Sequence, residues 1–236
     1  MDIRGLVPFS LIDYPGKLAA VVFTAGCNLR CPFCHNPCLI VDPQSQPQIS
    51  LETFYQFLDV RKNFLDGVVF SGGEPALQSD LPEVLRVVRE MGYAVKLDTN
   101  GTFPERVREL LDQDLIQAAG VDYKLPARKY DTLGQPHAAE KVQQTLAILV
   151  EAGIFLDVRT TVHPAYLSRE DLLEMRDELL SLGISHWHLQ PFHEVDILDE
   201  SLKVLPPYTD HQLFQFSQEL GTLAHVRGLY GKEFSK

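Results

Sequence analysis

The sequence predicts an α/β fold in which six consecutive βα units form a partial (βα)6 barrel, similar to part of a TIM barrel. Two observations support this fold class. From Leu18 onward, short runs of apolar and β-branched residues alternate with amphipathic stretches, and most of these runs are almost continuously apolar. Continuous apolar character is expected of parallel strands that are covered on both faces. Because right-handed crossovers join such strands, a series of them curls into a barrel or part of one.

The predicted elements have recognisable ends and faces. Leu81, Val84, Leu85 and Val88 fall at helical spacing with charged residues between them, as expected for the buried face of an amphipathic helix. Serines stand at three expected helix starts and glycines at three expected stops, namely Ser50, Ser79 and Ser168, and Gly92, Gly153 and Gly183. The predicted strands are Leu18–Thr24, Gly67–Phe70, Ala94–Asp98, Ala118–Tyr123, Phe155–Val162 and His186–Pro191, and the predicted helices are Leu51–Phe64, Asp80–Met91, Pro104–Leu115, Ala138–Ala152 and Ser168–Leu182.

We expect a single domain over residues 1–236, because this length is ordinary for one α/β domain. The core of that domain is predicted to span about residues 15–195. A short N-terminal extension precedes the core, and a tail with one more predicted helix, Asp210–His225, follows it.

Composition argues against several classes of protein. The net charge is −11, from 21 basic and 32 acidic residues, so no basic excess is available for non-specific nucleic-acid binding. No apolar run is long enough to span a membrane, and residues 1–16 lack the features of a secretory signal. All four cysteines lie between Cys27 and Cys38, where they cannot staple the rest of the fold by disulfides. We therefore expect a cytoplasmic protein that binds neither nucleic acid nor membrane.

Unusual polar and glycine-rich segments fall at the carboxyl ends of the predicted strands. In chain order they read TAGCNLRC, SGGEP, DTNG, DYK and HLQPFH. The carboxyl ends of the strands are the edge of a (βα) barrel where functional side chains gather. The placement of these segments therefore predicts that they line one site.

Three of the four cysteines form the motif Cys27-x-x-x-Cys31-x-x-Cys34. Three thiolates can bind one iron–sulfur cluster, but a [4Fe–4S] cluster normally takes four, so one iron would stay open to a ligand that is not protein. A zinc site that includes Cys38 and an electron-transfer cluster are the alternatives. Zinc sites favour two cysteine pairs, and the bacterial ferredoxin motif begins with a shorter gap, so both patterns match less well. His35 is either a further ligand or only a neighbour.

The next two segments are ambiguous on their own. Gly72 and Gly73 could form a plain turn, or they could let the backbone approach a ligand while Glu74 accepts from an ammonium group. Asp98 and Asn100 could form a turn, or they could hydrogen-bond the hydroxyls of a ribose.

The later charged residues are equally open. Asp122 and Lys124 could be a surface ion pair of little energetic value, or they could bind a ligand. Arg159 and His163 either face the barrel interior or belong to the packing, and the pattern does not decide between these. In the last segment, Gln190 is a weaker candidate than the histidine that ends it.

The run GCNLRCPFCHNP resembles the signature of the radical S-adenosylmethionine (SAM) superfamily, which has an aromatic residue, here Phe33, before its third cysteine. The resemblance implies that the partial barrel is of this type and that Cys27, Cys31 and Cys34 hold a [4Fe–4S] cluster. SAM would chelate the open iron through its amino and carboxylate groups. Reductive cleavage of SAM would then give methionine and a 5′-deoxyadenosyl radical, while the protein orients both cofactors.

The same resemblance implies particular contacts to the cofactors. The SGGEP segment would hold the amino end of SAM, DTNG would lie against SAM, Lys124 would pair with its carboxylate, and the final histidine of HLQPFH would approach the adenosyl group. The predicted cofactor-binding residues are Phe33, His35, Gly72, Gly73, Glu74, Asp98, Asn100, Asp122, Lys124 and His193.

The chain is most similar to the activating enzymes of glycyl-radical proteins, whose segments occur in the same order. It has no cysteines for the extra clusters of some members, and its N-terminal stretch from Gly5 to Pro37 looks like the subgroup that activates anaerobic ribonucleoside-triphosphate reductase. This resemblance implies that a hydrogen atom is removed from the Cα of a glycine in a partner protein, the anaerobic reductase. The electron would come from a low-potential flavodoxin or ferredoxin.

Other functions remain open. A radical SAM enzyme that acts on a small molecule, such as a 7-deazapurine synthase, would share the cysteine and SGGEP segments. A pyruvate formate-lyase-type activase differs only in its partner. A non-enzymatic electron carrier would leave SGGEP and DYK without a purpose.

Overall fold

Eight strands form one sheet in the structure, a computed structural model in which residues 1–228 are described. Their order in the sheet is their order in the chain, and every neighbouring pair from β2 to β8 is parallel. Such an order follows when each crossover returns the chain to the next position in the sheet. The strands are β1 (Ile3–Ser10), β2 (Ala19–Thr24), β3 (Gly67–Gly72), β4 (Ala94–Thr99), β5 (Ala118–Asp122), β6 (Phe155–Val162), β7 (Trp187–Pro191) and β8 (Ala224–Val226).

Helices follow the parallel strands, and their caps explain where several of them begin and end. Ser50 accepts from Thr53 N, Ser168 forms a capping box with Asp171, and Gly153 ends its helix at φ 65°. Ser79 is not a cap, because that helix starts one residue later, after Asp80. The helices are α1 (Cys38–Val41), α2 (Leu51–Val60), α3 (Leu81–Glu90), α4 (Pro104–Asp112), α5 (Ala138–Ala152), α6 (Arg169–Ser181) and α7 (Asp210–Leu220).

The alternation of strands and helices confirms the predicted α/β fold, and the differences lie at the ends of the sheet. β1 pairs with β2 in the antiparallel direction, and β8 pairs with β7. The predicted tail helix Asp210–His225 is too long, because Gly221 (φ 78°) ends α7 and the chain then enters β8. Over residues 1–228, β1 and β8 each pair with one strand only, so the barrel is open between them.

Two predicted helices are also too long. The helix predicted over Leu51–Phe64 ends at Val60, where hydrogen-bonded turns lead into β3. The helix predicted over Pro104–Leu115 ends at Asp112, shortly before Asp114 takes a positive φ of 51°. Within residues 1–228, no helix has both the length and the apolar character needed to cross a membrane.

Within residues 1–228 the buried apolar side chains form two cores, and the larger one lies between the sheet and the helices. Val68 and Leu97 on the strands and Leu85 and Leu146 on the helices are all fully buried there. Each buried leucine contributes roughly 1.5–3 kcal/mol relative to an exposed one. This core fixes the strands from outside, and it accounts for the continuous apolar character of their sequences.

The smaller core fills part of the inner face of the curved sheet. It consists of Tyr14, Ala19, Val21, Val69 and Ala118. Because alternate residues of a strand share a face, the inner face continues towards the carboxyl ends with Lys96 and Asp98 beyond Ala94 on β4 and with Asp122 beyond Ala118 on β5. The inner face is therefore apolar near the amino ends of the strands and charged near their carboxyl ends, where the candidate site lies.

Candidate functional site

A cavity of about 380 Å³ lies at the carboxyl ends of the parallel strands. Residues from the loop after β2 and from the ends of β3 to β7 line it, so the segments singled out in the sequence meet at one place. The predicted residues that line the cavity are Cys27, Cys31, Phe33, Cys34, His35, Gly72, Gly73, Asp98, Asn100, Asp122 and Lys124. Glu74 and His193 lie outside its lining.

The cysteine loop is held by backbone hydrogen bonds from several elements. Gly26 N donates to Leu39 O at 2.8 Å, and Arg30 N donates to Leu133 O at 2.9 Å. Phe33 packs edge-on against Tyr166, with ring centroids 5.6 Å apart. The loop therefore has a fixed shape, which a rigid cluster requires of its ligands.

The three thiols line the cavity and are costly to ionise without a cation. Burial raises the pKa of all three, and it raises that of Cys31 to about 12. Iron would supply the missing positive charge, since a cysteine binds metal as its thiolate. In residues 1–228, no three His, Cys, Asp or Glu side chains are grouped as ligands of one metal ion. The cysteines that line the cavity are those of the C-x-x-x-C-x-x-C motif, whereas Cys38 is exposed and lies outside the lining.

Gly72 and Gly73 let the end of β3 lie directly against the cysteine loop. Gly72 has a φ of 117°, and a Cβ there would collide with the backbone of Thr24. A Cβ on Gly73 would collide with the carbonyl of Gly26. In this space Gly73 N donates to Thr24 O, and Glu74 N donates to Gly26 O, both at 2.8 Å. The glycine pair is thus required by a backbone contact, and it also lines the cavity.

Glu74 is fully buried behind the cavity, where it joins two loops. Its Oε1 accepts from Ala76 N at 3.0 Å and from Thr99 Oγ1 at 2.8 Å, and its Oε2 accepts from Asn100 N at 2.6 Å. Burial raises the pKa of Glu74 to about 7 despite these donors. The geometry therefore gives Glu74 a positioning role between SGGEP and DTNG, which differs from the ammonium contact expected from the sequence.

Asn100 connects the DTNG segment to the cysteine loop. Its Nδ2 lies 2.9 Å from Asn28 Oδ1 and 3.6 Å from Cys27 Sγ, and its Oδ1 accepts from Thr102 Oγ1 at 2.6 Å. Leu29 N also donates to Cys27 Sγ at 3.4 Å. Hydrogen bonds to ligand sulfurs tune the potential of a cluster, so Asn100 acts on the proposed ligand as well as on the cavity.

Five charged side chains form a continuous chain on the inner face. Arg159 donates through Nη1 to Asp98 Oδ2 and through Nε to Asp122 Oδ1, both at 3.1 Å. At one end Lys96 donates to Asp98 Oδ1, and at the other Lys124 donates to Asp122 Oδ2 at 3.1 Å. The charges continue beyond these five side chains, because Arg159 Nη1 also lies 4.0 Å from Asp157 Oδ2 and Asp157 pairs with Arg227 at 2.7 Å.

The ion pairs keep Asp122 and Lys124, which lie at the cavity end of this charged network, ionised. Burial alone would raise the pKa of Asp122, but Lys124 and Arg159 hold that pKa below its usual value. Burial alone would lower the pKa of Lys124, but Asp122 and Cys31 raise it overall. Lys124 therefore offers a permanent cation beside the cysteines, suited to a carboxylate.

The remaining predicted residues are placed as follows. Arg159 and Gln190 line the cavity, whereas His163 is buried and packs on Phe192, with centroids 4.5 Å apart. His193 is exposed at the rim, with its ring centroid 6.4 Å from that of His35.

Sequence reasoning missed three contributors. Asp13 lines the cavity from the segment before β2, where no local motif marks it. Asn28 supports Asn100 from within the cysteine motif, at a position between the ligands that the motif spacing does not single out. Lys96 could have been found, because a lysine two residues before Asp98 shares its face of the strand.

Comparisons with known proteins agree with this geometry. The sequence profile of the Radical SAM superfamily matches residues 21–179. A Methanocaldococcus jannaschii protein, provisionally named a glycyl-radical enzyme activating enzyme, is 32% identical over 228 residues, which cover 94% of this chain and 91% of that protein. A 7-carboxy-7-deazaguanine synthase from Methanopyrus kandleri is 26% identical and covers 86% of this chain and 88% of that protein.

Among solved structures, a radical SAM methyltransferase from Sphaerobacter thermophilus has the same fold. Its TM-score is 0.68 at 17% identity, over 92% of this chain and 68% of that one. At this identity the likeness concerns the fold alone.

Proposed function

The chain belongs to the radical SAM superfamily and is an enzyme of that type, and from this premise we propose that it generates a glycyl radical on a partner protein. The observation that carries the proposal is the similarity to the Methanocaldococcus jannaschii activating enzyme over nearly the whole of both chains. The N-terminal stretch around the cysteine motif further favours anaerobic ribonucleoside-triphosphate reductase as the partner.

The superfamily uses a [4Fe–4S] cluster and SAM, and the residues of this cavity fit both. Cys27, Cys31 and Cys34 would hold the cluster, and Phe33 would cover its edge. When bound and given one electron, the two cofactors supply methionine and a 5′-deoxyadenosyl radical, which takes a hydrogen atom from the glycine Cα and leaves 5′-deoxyadenosine and a glycyl radical. A low-potential flavodoxin or ferredoxin would provide the electron.

The protein's own task is to bind and orient SAM. Lys124 would pair with the SAM carboxylate, because it lines the cavity and its charge acts on all three cysteines. The backbone at Gly72 and Gly73 would receive the ammonium group. Asp98 and Asn100 would face the ribose from the end of β4.

The other predicted contacts lie nearer the rim or behind the cavity wall. Asp122 would hold Lys124 in place. His35 and His193 would lie towards the adenosyl group, and Glu74 would act through the loops that it joins. We also place the protein in the cytoplasm, since cluster assembly needs reduced thiols.

A second function has its own support. The relative from Methanopyrus kandleri, named a 7-carboxy-7-deazaguanine synthase, matches over 86% of the chain. In that case a small molecule would receive the radical. The lower identity, 26% against 32%, makes the glycyl-radical function the better supported of the two.

The test is anaerobic mixing of reconstituted protein with SAM, a reductant and a candidate anaerobic reductase. The proposal expects a glycyl-radical doublet in the electron paramagnetic resonance spectrum, and loss of that doublet when the reductase glycine is replaced by alanine. SAM cleavage without a doublet would exclude that partner. Pyruvate formate-lyase and a deazapurine precursor, tested in parallel, separate the two alternatives.

A further inference from the structure

Lys96 is a fully buried lysine on the inner face of β4, behind the cavity wall. It lies outside the cavity lining, and its ammonium donates to Asp98 Oδ1. Lysine is almost never fully buried without a partner. The ion pair with Asp98 partly explains how this ammonium group can be fully buried.

The neighbouring strand leaves room for this pair. Gly120 on β5 stands opposite Asp98, and a Cβ at Gly120 would collide with Asp98 Oδ1. The same Cβ would come within 3.1 Å of Lys96 Nζ and 3.2 Å of Arg159 Cζ. Gly120 is not among the glycines with a positive φ, so its backbone conformation does not demand glycine. Glycine is required at position 120 because the charged groups occupy the space that a side chain would fill.

Lys96 and Arg159 together fix the orientation of the Asp98 carboxylate. Lys96 takes Oδ1 and Arg159 takes Oδ2, so the carboxylate is held from two sides. Without Lys96, only Arg159 would compensate the buried carboxylate, and the guanidinium would be drawn towards Asp98 and away from Asp122. Because Asp122 holds Lys124, the disturbance would reach the cavity wall.

We infer that Lys96 and Gly120 are positioning residues for SAM binding, which act through Asp98 and Arg159 without touching SAM. The inference rests on the proposed function only in requiring SAM to bind in this cavity. It does not depend on which molecule receives the radical.

A purely structural role for Lys96 makes a different prediction. In that case Lys96 only neutralises a buried charge, and its replacement would lower the stability of the fold while folded protein kept its affinity for SAM. A positioning role lowers the affinity of folded protein. The affinity of folded Lys96→Met protein separates these two roles, and Gly120→Ala tests whether the position of Asp98 matters while every charge remains.

The experiment measures SAM binding to the reconstituted protein by calorimetry and records the electron paramagnetic resonance spectrum of the reduced cluster with and without SAM. Lys96→Met and Gly120→Ala are each expected to raise the Kd for SAM by about tenfold or more. The iron content and the spectrum before SAM addition should match those of the wild type. Lys17→Met and Gly5→Ala, on other parts of the chain, serve as controls and should leave the Kd unchanged.

A double-mutant cycle with Asp98→Asn tests whether Lys96 acts on SAM binding through Asp98. If Lys96 acts through Asp98, Lys96→Met adds little to the loss already caused by Asp98→Asn. The double variant also removes the uncompensated charge, so it remains informative if Lys96→Met alone fails to fold. Unchanged Kd values, or independent effects of the two substitutions, would overturn the inference. Wild-type protein that binds SAM but makes no glycyl radical would contradict only the proposed function.

Discussion

Asp98 and Asp122, on neighbouring strands, share one guanidinium: Arg159 Nη1 and Nε lie 3.1 Å from Asp98 Oδ2 and Asp122 Oδ1 respectively. The fork of an arginine can hold two carboxylates in a fixed relation, which a lysine cannot do. This bridge links the DTNG and DYK segments, which are separate in the sequence.

Replacing Arg159 should therefore destabilise the protein even without cofactors. Arg159→Met leaves two carboxylates facing each other, and breaking a buried ion pair in this way typically costs about 3–5 kcal/mol. We expect a loss in the free energy of unfolding at or below the lower end of that range, measured by urea denaturation of the apoprotein. Arg106→Met, which removes an exposed helical pair, is the control and should change it by less than about 0.5 kcal/mol. Equal effects of the two substitutions would mean that the bridge contributes nothing.

The three-cysteine assignment predicts a clear difference between Cys38 and the others. Cys27→Ala, Cys31→Ala and Cys34→Ala should each abolish stable cluster binding, because each removes a ligand from the cavity wall. Cys38→Ala should retain it, since that side chain is exposed in α1. Iron and sulfide content after anaerobic reconstitution measures both. A cluster lost with Cys38→Ala would favour a four-cysteine site.

Asn100 should tune the reduction potential of the cluster. Its amide donates to Cys27 Sγ, and such hydrogen bonds favour the more negative, reduced state. Asn100→Ala is expected to make the midpoint potential more negative, measured by spectroscopic redox titration without SAM. Gln113→Ala, on the protein surface, is the control. A shift to more positive potential would argue against this contact.

Glu74 should give the apoprotein a particular pH dependence. Burial raises its pKa from 4.5 to about 7, so between these values the folded state holds a proton that the unfolded state has lost. The contribution of Glu74 to the free energy of unfolding is therefore fully present below pH 4.5 and is lost as the pH rises towards 7. Relative to Glu74→Gln, the wild type should lose up to about 3 kcal/mol over this range. Parallel denaturation curves at each pH test this, and a constant difference would contradict it.

Thr160 should matter for the fold rather than for the site. Its hydroxyl donates to Tyr123 O at 2.5 Å and accepts from Trp187 Nε1 at 2.8 Å, which ties β6 to both neighbours. Thr160→Val leaves both partners buried and unpaired, which should lower the free energy of unfolding by about 2–3 kcal/mol. Thr132→Val, at an exposed turn, is the control. An unchanged unfolding midpoint would show that water replaces the hydroxyl.

The strand and helix alternation was predictable because each strand is covered on both faces and so reads as an uninterrupted apolar run. β8 was not predictable, because a strand of three residues follows the end of α7 without a periodic signal of its own. β1 is half exposed and carries Pro8, which weakens its strand pattern.

The cavity lining was largely predictable, since its residues lie in contiguous motifs at the ends of strands. Arg159 could not be assigned from sequence, because its value depends on two carboxylates contributed by other strands. Glu74 was expected to face a ligand, but three donors from its own and a neighbouring loop turn it inward. Which side of a loop a motif residue takes is decided by such long-range hydrogen bonds.

The loops after β2, β3 and β4 are tied to one another by Gly73 N, Glu74 and Asn100. A displacement of any one of these loops would therefore move the cysteines, the glycine pair and the DTNG segment together. These hydrogen bonds couple the three loops, so a change in cluster geometry is expected to change SAM geometry as well. The segment after β7 contacts the loop after β2 at two places: Asp199 N donates to Pro32 O at 3.0 Å, and the ring of His35 lies beside those of Phe192 and His193. A change of radical acceptor that reshapes the segment after β7 would therefore also alter the surroundings of His35 in the cysteine loop.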